Sequence, residues 1–345
     1  MKNILKVVFV IIGTMIGAGF ASGQEIYLFF FSYGMEGLIG LLISGLILGI
    51  VMNQTFKIVD KYGTNTYKDF LDILIKKNGK IKPVINAIIN IFILITFFIM
   101  IAGFGAYFEQ ELGINSLIGS IILSVSTFII FMTSVKGVVK ANELLVPILI
   151  IFLMIIGIVN LKDIPILELS NYIAKTNQSN FIISAILYSS YNSILLIPVL
   201  LTLKDYIQNK KQILKIASIS TAIIILLSII VFLLLVKVDV DITQLEMPAV
   251  YVVSHSFKLL KYAYGFIILG SIFTTAISLG TSFLQNTTKN KKSYTQIAVI
   301  MCITSVLVSK IGFSNLVELL YPIFGYLGLL QILKLMFVKK SSKIN

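Results

Sequence analysis

Ten stretches of this chain run for about 20 residues almost without charge, and lipid leaves a run of that kind few ways to fold. They cover residues 7–31, 37–56, 84–108, 117–135, 144–160, 181–203, 216–236, 262–284, 297–308 and 316–338, the ninth extending toward Tyr294 and Lys310. Barrel strands would alternate in polarity over ~10 residues, whereas these runs are apolar throughout. Only 12% of the 345 residues are charged and 57% are hydrophobic, against about 25% charged in a soluble chain. Too little polar surface remains to cover a water-soluble globule. The expectation is an all-α integral membrane protein. A single transmembrane domain spans 1–345, with ten spanning helices and the lipid bilayer as its surroundings.

The net charge of +13 points to nucleic acid only until the lysines are sorted by loop. All 28 basic residues are lysine; 22 fall at one set of span ends and six (Lys162, Lys175, Lys237, Lys258, Lys261 and Lys310) at the other. That bias is the positive-inside pattern of a multi-pass cell-membrane protein with both termini cytoplasmic. No nucleic-acid partner is needed to explain it. Without arginine, no guanidinium fork is available to clamp a carboxylate or phosphate. The lone Cys302 and lone His255 exclude an internal disulfide and a histidine-based metal cluster. No nucleophile, base and metal set converges, so an enzyme is not expected. Two connections have character of their own. "YKDFLDILIKK", within 57–82, suits a short helix lying on the membrane surface. "DITQLEMPAVYVVSHSF", within 237–259, is long enough for a partly helical lid.

Five spans precede Lys162 and five follow Lys175, so the two halves enter the membrane from opposite faces. The expectation is an inverted repeat, 4–160 and 180–338, as in secondary transporters, with the first span of each half interrupted near its middle. The first span carries Gly13, Gly17, Gly19 and Gly23; the sixth carries Ser189, Ser190, Asn192 and Ser193, with Pro198 beyond. A broken helix frees backbone groups, which survive at mid-depth only where they face a protein-lined cavity. Freed N–H groups at Gly17, Ala18 and Gly19 suit a substrate carboxylate, and freed carbonyls suit a small cation. Tyr188, Ser189, Ser190 and Asn192 would face the rest of the substrate. Two plainer readings stand beside this. Gly13-x3-Gly17 and Gly19-x3-Gly23 are also helix-packing spacings, and "YSSYNS" also suits interhelical hydrogen bonding. A dinucleotide turn is excluded: Ser22 stands where the third glycine belongs, and the flanks are membrane spans.

The run "GTMIGAGFASGQEI", Gly13 to Ile26, resembles the signature of the bacterial YkvI-type membrane proteins. These look like a branch of the amino acid–polyamine–organocation superfamily, whose fold is the LeuT type of five-plus-five inverted repeats. The resemblance implies a sodium site between the first and eighth helices. On this chain its ligands are the carbonyls of Gly13, Ile16 and Ser271 and the hydroxyls of Thr274 and Thr275, with Ser278 a near competitor. Oxygen donors suit a hard cation, although threonines also back-bond within ordinary helices. The fifth span has no lysine of the kind that replaces sodium in proton-coupled relatives. Phe20 stands where a second sodium site needs asparagine, so one sodium at most is expected. No other cofactor is implied. The function implied is secondary active transport of an amino acid or related small zwitterion or amine by alternating access. A proton-coupled transporter using Glu25 is one alternative. A non-transporting, germinant-type sensing receptor subunit is another.

Of the 15 carboxylates, Glu25 and Glu318 alone fall inside spans, where an acid is by default a functional residue. In the implied fold their helices face each other across the outer vestibule, as gating or coupling residues that share a proton, attract cations or bind a substrate amine, and Glu25, if buried, is expected to serve coupling or amine recognition. The plainer reading is that each sits wet at the headgroup boundary.

Overall fold

In hydrocarbon a backbone N–H or C=O finds no water, so each apolar run satisfies most of its own backbone groups as a helix. A computed structural model describes residues 2–64, 67–75, 82–132, 138–161, 175, 177–203, 206–207, 209–256, 258–288 and 290–337. Its helices are α1 (Lys2–Met15), α2 (Ala18–Ala21), α3 (Gln24–Ile26), α4 (Met35–Tyr62), α5 (Tyr67–Ile75), α6 (Lys82–Leu112), α7 (Ser116–Met132) and α8 (Val138–Leu161). The second half holds α9 (Phe181–Thr202), α10 (Lys210–Leu235), α11 (Pro248–Ser256), α12 (Lys258–Thr287), α13 (Lys291–Ser309) and α14 (Phe313–Met336). A π-helical turn, Tyr27–Phe31, continues α3. Among the described residues, α4, α6, α9, α10, α12, α13 and α14 contain the seven helices long and apolar enough to cross a membrane. Shorter apolar helices, Ile4–Met15, Ser116–Met132 and Pro147–Val159, occupy the other three runs. Several lysines behind the orientation reading, Lys76, Lys77, Lys80, Lys136, Lys162, Lys204, Lys289, Lys339, Lys340 and Lys343, lie outside the described residues.

Asparagine starts three of the long helices. Asn180 accepts from Ile182 N–H at 2.8 Å, Asn209 from Gln212 N–H at 3.0 Å and Asn290 from Ser293 N–H at 2.8 Å. Each satisfies a donor that the first turn leaves orphaned.

The sixth run is a correction to the sequence reading: α9 is one continuous helix through Ser189, Ser190, Asn192 and Ser193. Its polar side chains bond back onto the helix instead of marking a gap. Ser189 Oγ donates to Ala185 O at 2.8 Å, Ser193 Oγ to Ser190 O at 2.7 Å, and Asn192 Nδ2 to Tyr188 O at 3.0 Å. Such local bonds satisfy hydroxyls and amides without unwinding the backbone.

α9 is also central. In its apolar stretch 67% of residues are buried, against 28% in α13 at the periphery. It packs on α4 and α14, and α6 packs on α7 and α12. The α9–α14 approach depends on Gly328, where an added Cβ would collide with the Ser190 carbonyl. α5 is the short helix expected within 57–82. It buries Phe70, Leu71 and Leu74 against Val59 of α4, Leu201 of α9 and Leu335 of α14.

Candidate functional site

The first run is helical from Lys2 to Met15, and α2 begins again at Ala18. Gly17 lies between them in extended geometry (φ −92°, ψ −167°) and faces open space. A second turn follows at Gly23, whose φ of 84° favours glycine. A Cβ there would also lie 2.9 Å from that of Ala249.

Carbonyls around these turns receive donors from the second half of the chain. Ser271 Oγ donates to Ile16 O at 3.2 Å, Tyr264 Oη to Ala21 O at 2.5 Å, and Ala249 N–H to Ser22 O at 2.8 Å. These three carbonyls of the irregular backbone are therefore paired, as a membrane interior would require. Two of these donors lie on α12 and the third on α11.

A cavity of ≈ 460 Å³ opens beside the first turn. Gly13, Thr14 and Gly17 form one wall, Tyr191, Asn192 and Leu195 of α9 a second, and Thr275 and Ser278 of α12 a third. It extends to Lys6, Leu203 and Tyr206 at the α1 N-terminal end, where the Lys6 ammonium stands 5.1 Å from the centre of the Tyr206 ring. Pro198 lines it too, and its ring removes the helical donor from the Ile194 carbonyl on the same wall.

Glu25 lines the cavity and is 4% exposed. Tyr191 Oη donates to its carboxylate, and Gly19 lies so close that an added Cβ would collide with Oε1. Around it the rings interlock: Tyr191 and Tyr321 are 4.7 Å apart between centroids, and Phe29 is 5.5 Å from both Tyr188 and Tyr191.

Hydrogen bonds latch the 237–259 connection in place. Met247 N–H donates to Gln110 Oε1 at 2.9 Å, and Gln110 Nε2 returns a bond to Met247 O at 3.0 Å. Glu246 accepts from Ser314 N–H at 2.6 Å, which sets a carboxylate at the N-terminus of α14. Lys261 and Glu111 pair at 3.5 Å. The 237–259 connection thus ties α6, α14 and the Ser22 turn together.

The expected site residues separate into groups. Gly13, Gly17, Glu25, Asn192 and Thr275 line the cavity. Ile16 and Ser271 meet beside it, and Thr274 Oγ1 donates to Ser271 O at 3.1 Å. The others lie outside the cavity lining. Ser189 bonds the Ser44 carbonyl of α4 at 3.2 Å, the Ser190 backbone meets Gly328 of α14, and Tyr188 is buried against Phe29 and Phe30. Ala18 and Gly19 are buried outside the cavity lining. Because α9 stays helical, one stripe faces the cavity (Tyr191, Asn192, Leu195, Pro198), a spacing that helical periodicity could have revealed. Glu318 is exposed and lies outside the cavity lining, while Glu25 accepts from Tyr191. Sequence reasoning also missed Tyr264, Tyr321, Gln110 and Glu246, whose roles depend on partners far along the chain.

These features define a multi-pass helical membrane protein of LeuT-type fold. MhsT, solved in complex with L-phenylalanine, superposes with a TM-score of 0.62 at 16% identity, covering 97% of this chain and 95% of that one. Mhp1, a nucleobase-cation-symport-1 family transporter solved with bromovinylhydantoin bound, superposes at 0.53 and 10% identity, over 94% and 70%. No protein-family model matches the chain. The uncharacterized membrane protein YkvI of Bacillus subtilis (strain 168) is 32% identical over 335 residues, 94% of this chain and 92% of its own. The chain belongs to the YkvI family of membrane proteins.

Proposed function

We propose that the chain is a secondary active transporter of an amino acid or a related small zwitterion or amine, working by alternating access in the cell membrane. The observation that carries this reading is the cavity's course. Its lining runs from Gly17 and Glu25 at the turns to Lys6 and the exposed Tyr206, while the latch bonds to Ser22, three residues before Glu25. A pocket open on one side and latched on the other is one half of an alternating cycle. The fold relatives support the same reading, since MhsT holds L-phenylalanine and Mhp1 is a transporter. In this account the ten apolar helices form two inverted repeats, 4–160 and 180–338. The Lys6 end and both termini are cytoplasmic.

Sodium is the coupling ion in this reading. Its ligands are the carbonyls of Gly13, Ile16 and Ser271 and the hydroxyls of Thr274 and Thr275. The Ser271–Ile16 and Thr274–Ser271 hydrogen bonds are those the ion displaces. A second reading, proton coupling through Glu25, is favoured by that acid's burial in the cavity wall. Uptake of labelled phenylalanine into proteoliposomes, with sodium and proton gradients imposed separately, tests both. Sodium-driven uptake lost in Thr275→Ala is expected. Sodium-independent uptake abolished by Glu25→Gln would assign the proton reading. Thermal stabilisation by phenylalanine with no uptake under either gradient would make the chain a sensing receptor.

A further inference from the structure

We infer, resting on the transporter reading, that the site recognises its substrate through a protonated amine seated on Glu25 beside the Tyr191 and Tyr321 rings, and that a substrate carboxylate is dispensable. Among the described residues the charged ones lining the cavity are Glu25 and Lys6. Lys6 stands by Tyr206, separated from Met15 by roughly 14 Å of helix at the α-helical rise. Among the described residues no lysine lines the Glu25 end to receive an anion, and of Gly17, Ala18 and Gly19 the lining holds Gly17 alone. Glu25 there presents an acid among rings, with Tyr191 Oη its polar partner among the described residues. A carboxylate in a membrane interior is costly unless a cation or several donors reach it. A small ammonium ion fits that requirement.

The rings add to the attraction. Tyr191 and Tyr321 both line the cavity, and a ring face turned to it attracts an ammonium group within about 6 Å. Phe9, Met100, Ile194 and Leu195 supply apolar wall for a hydrocarbon or aromatic body. The class of ligand is an amine with an apolar body, which includes but is not restricted to apolar amino acids.

The test uses the full chain in lipid nanodiscs and three probes that share one ring: L-phenylalanine, 2-phenylethylamine and 3-phenylpropanoate. Calorimetric titration should find both amines binding within about tenfold of each other, with the acid at least tenfold weaker. Glu25→Gln retains an acceptor for Tyr191 and should weaken both amines by about 30-fold or more, the loss typical of a desolvated ion pair broken at one partner. Binding of the acid as tightly as the amines would overturn the inference. So would failure of both amines to bind, or unchanged amine affinity in a Glu25→Gln protein whose unfolding temperature shows it is folded. The transporter reading fails separately, by amine binding that never leads to uptake.

Discussion

Glu25 and Tyr191 lie far apart in the chain, yet one donates to the other inside the protein. Replacing Tyr191 with Phe keeps the ring contacts and deletes the donor, leaving the carboxylate less well satisfied. We expect Tyr191→Phe to cost about 1–3 kcal/mol, read as a lower unfolding temperature. The cost should shrink in a Glu25→Gln background, where the group left behind is uncharged. Equal costs in the two backgrounds would mean that the bond does not couple the residues. Packing makes a second residue-scale prediction. A methyl group at Gly328 collides with the Ser190 carbonyl, so Gly328→Ala should cost about 1–3 kcal/mol by forcing α9 and α14 apart. The check is its thermal unfolding beside that of Gly63→Ala, where no neighbour lies within 4 Å but a φ of 66° disfavours alanine. A smaller loss for Gly328→Ala than for Gly63→Ala would contradict the close approach.

At the scale of elements, α9 and the 237–259 connection carry the account. Hydrogen exchange should find the amides of 189–193 slow, as members of an unbroken helix, and those of Gly17 and Gly23 faster, as members of turns. Fast exchange through 189–193 would restore the interruption that α9 lacks. The latch depends on Glu246 at the start of α14. Removing a comparable cap costs about 0.5–2 kcal/mol, so Glu246→Ala should raise exchange across Pro248–Ser256 while leaving α9 protected. Unchanged protection there would show that the Gln110 and Ser22 bonds hold the connection without it. The sequence displayed these elements unequally. Glycines announce a turn because few other residues tolerate its geometry, so the region around Gly17 was legible. Serine and asparagine in a helix read the same whether they fill a gap or bond back onto the previous turn, so α9 was misread. Gln110, Glu246 and Tyr264 pair with residues that no local pattern connects to them.

For the whole molecule, the membrane class followed from charge and run length alone, because lipid imposes so few solutions on a backbone. Assembly of the cavity did not follow, since it depends on which face of α9 and α12 turns inward. The central claim is that one cavity opens alternately to the two sides of the membrane. The direct measurement is cysteine accessibility at Gly17, which faces open space at the cavity wall, in a Cys302→Ser background. Gly17→Cys is placed in sealed vesicles of known orientation and treated with a membrane-impermeant maleimide from either side. We predict labelling from the Lys6 side without sodium, and a shift toward the opposite side when sodium is added. Labelling from both sides at once, or from one side unchanged under every condition, would contradict the account.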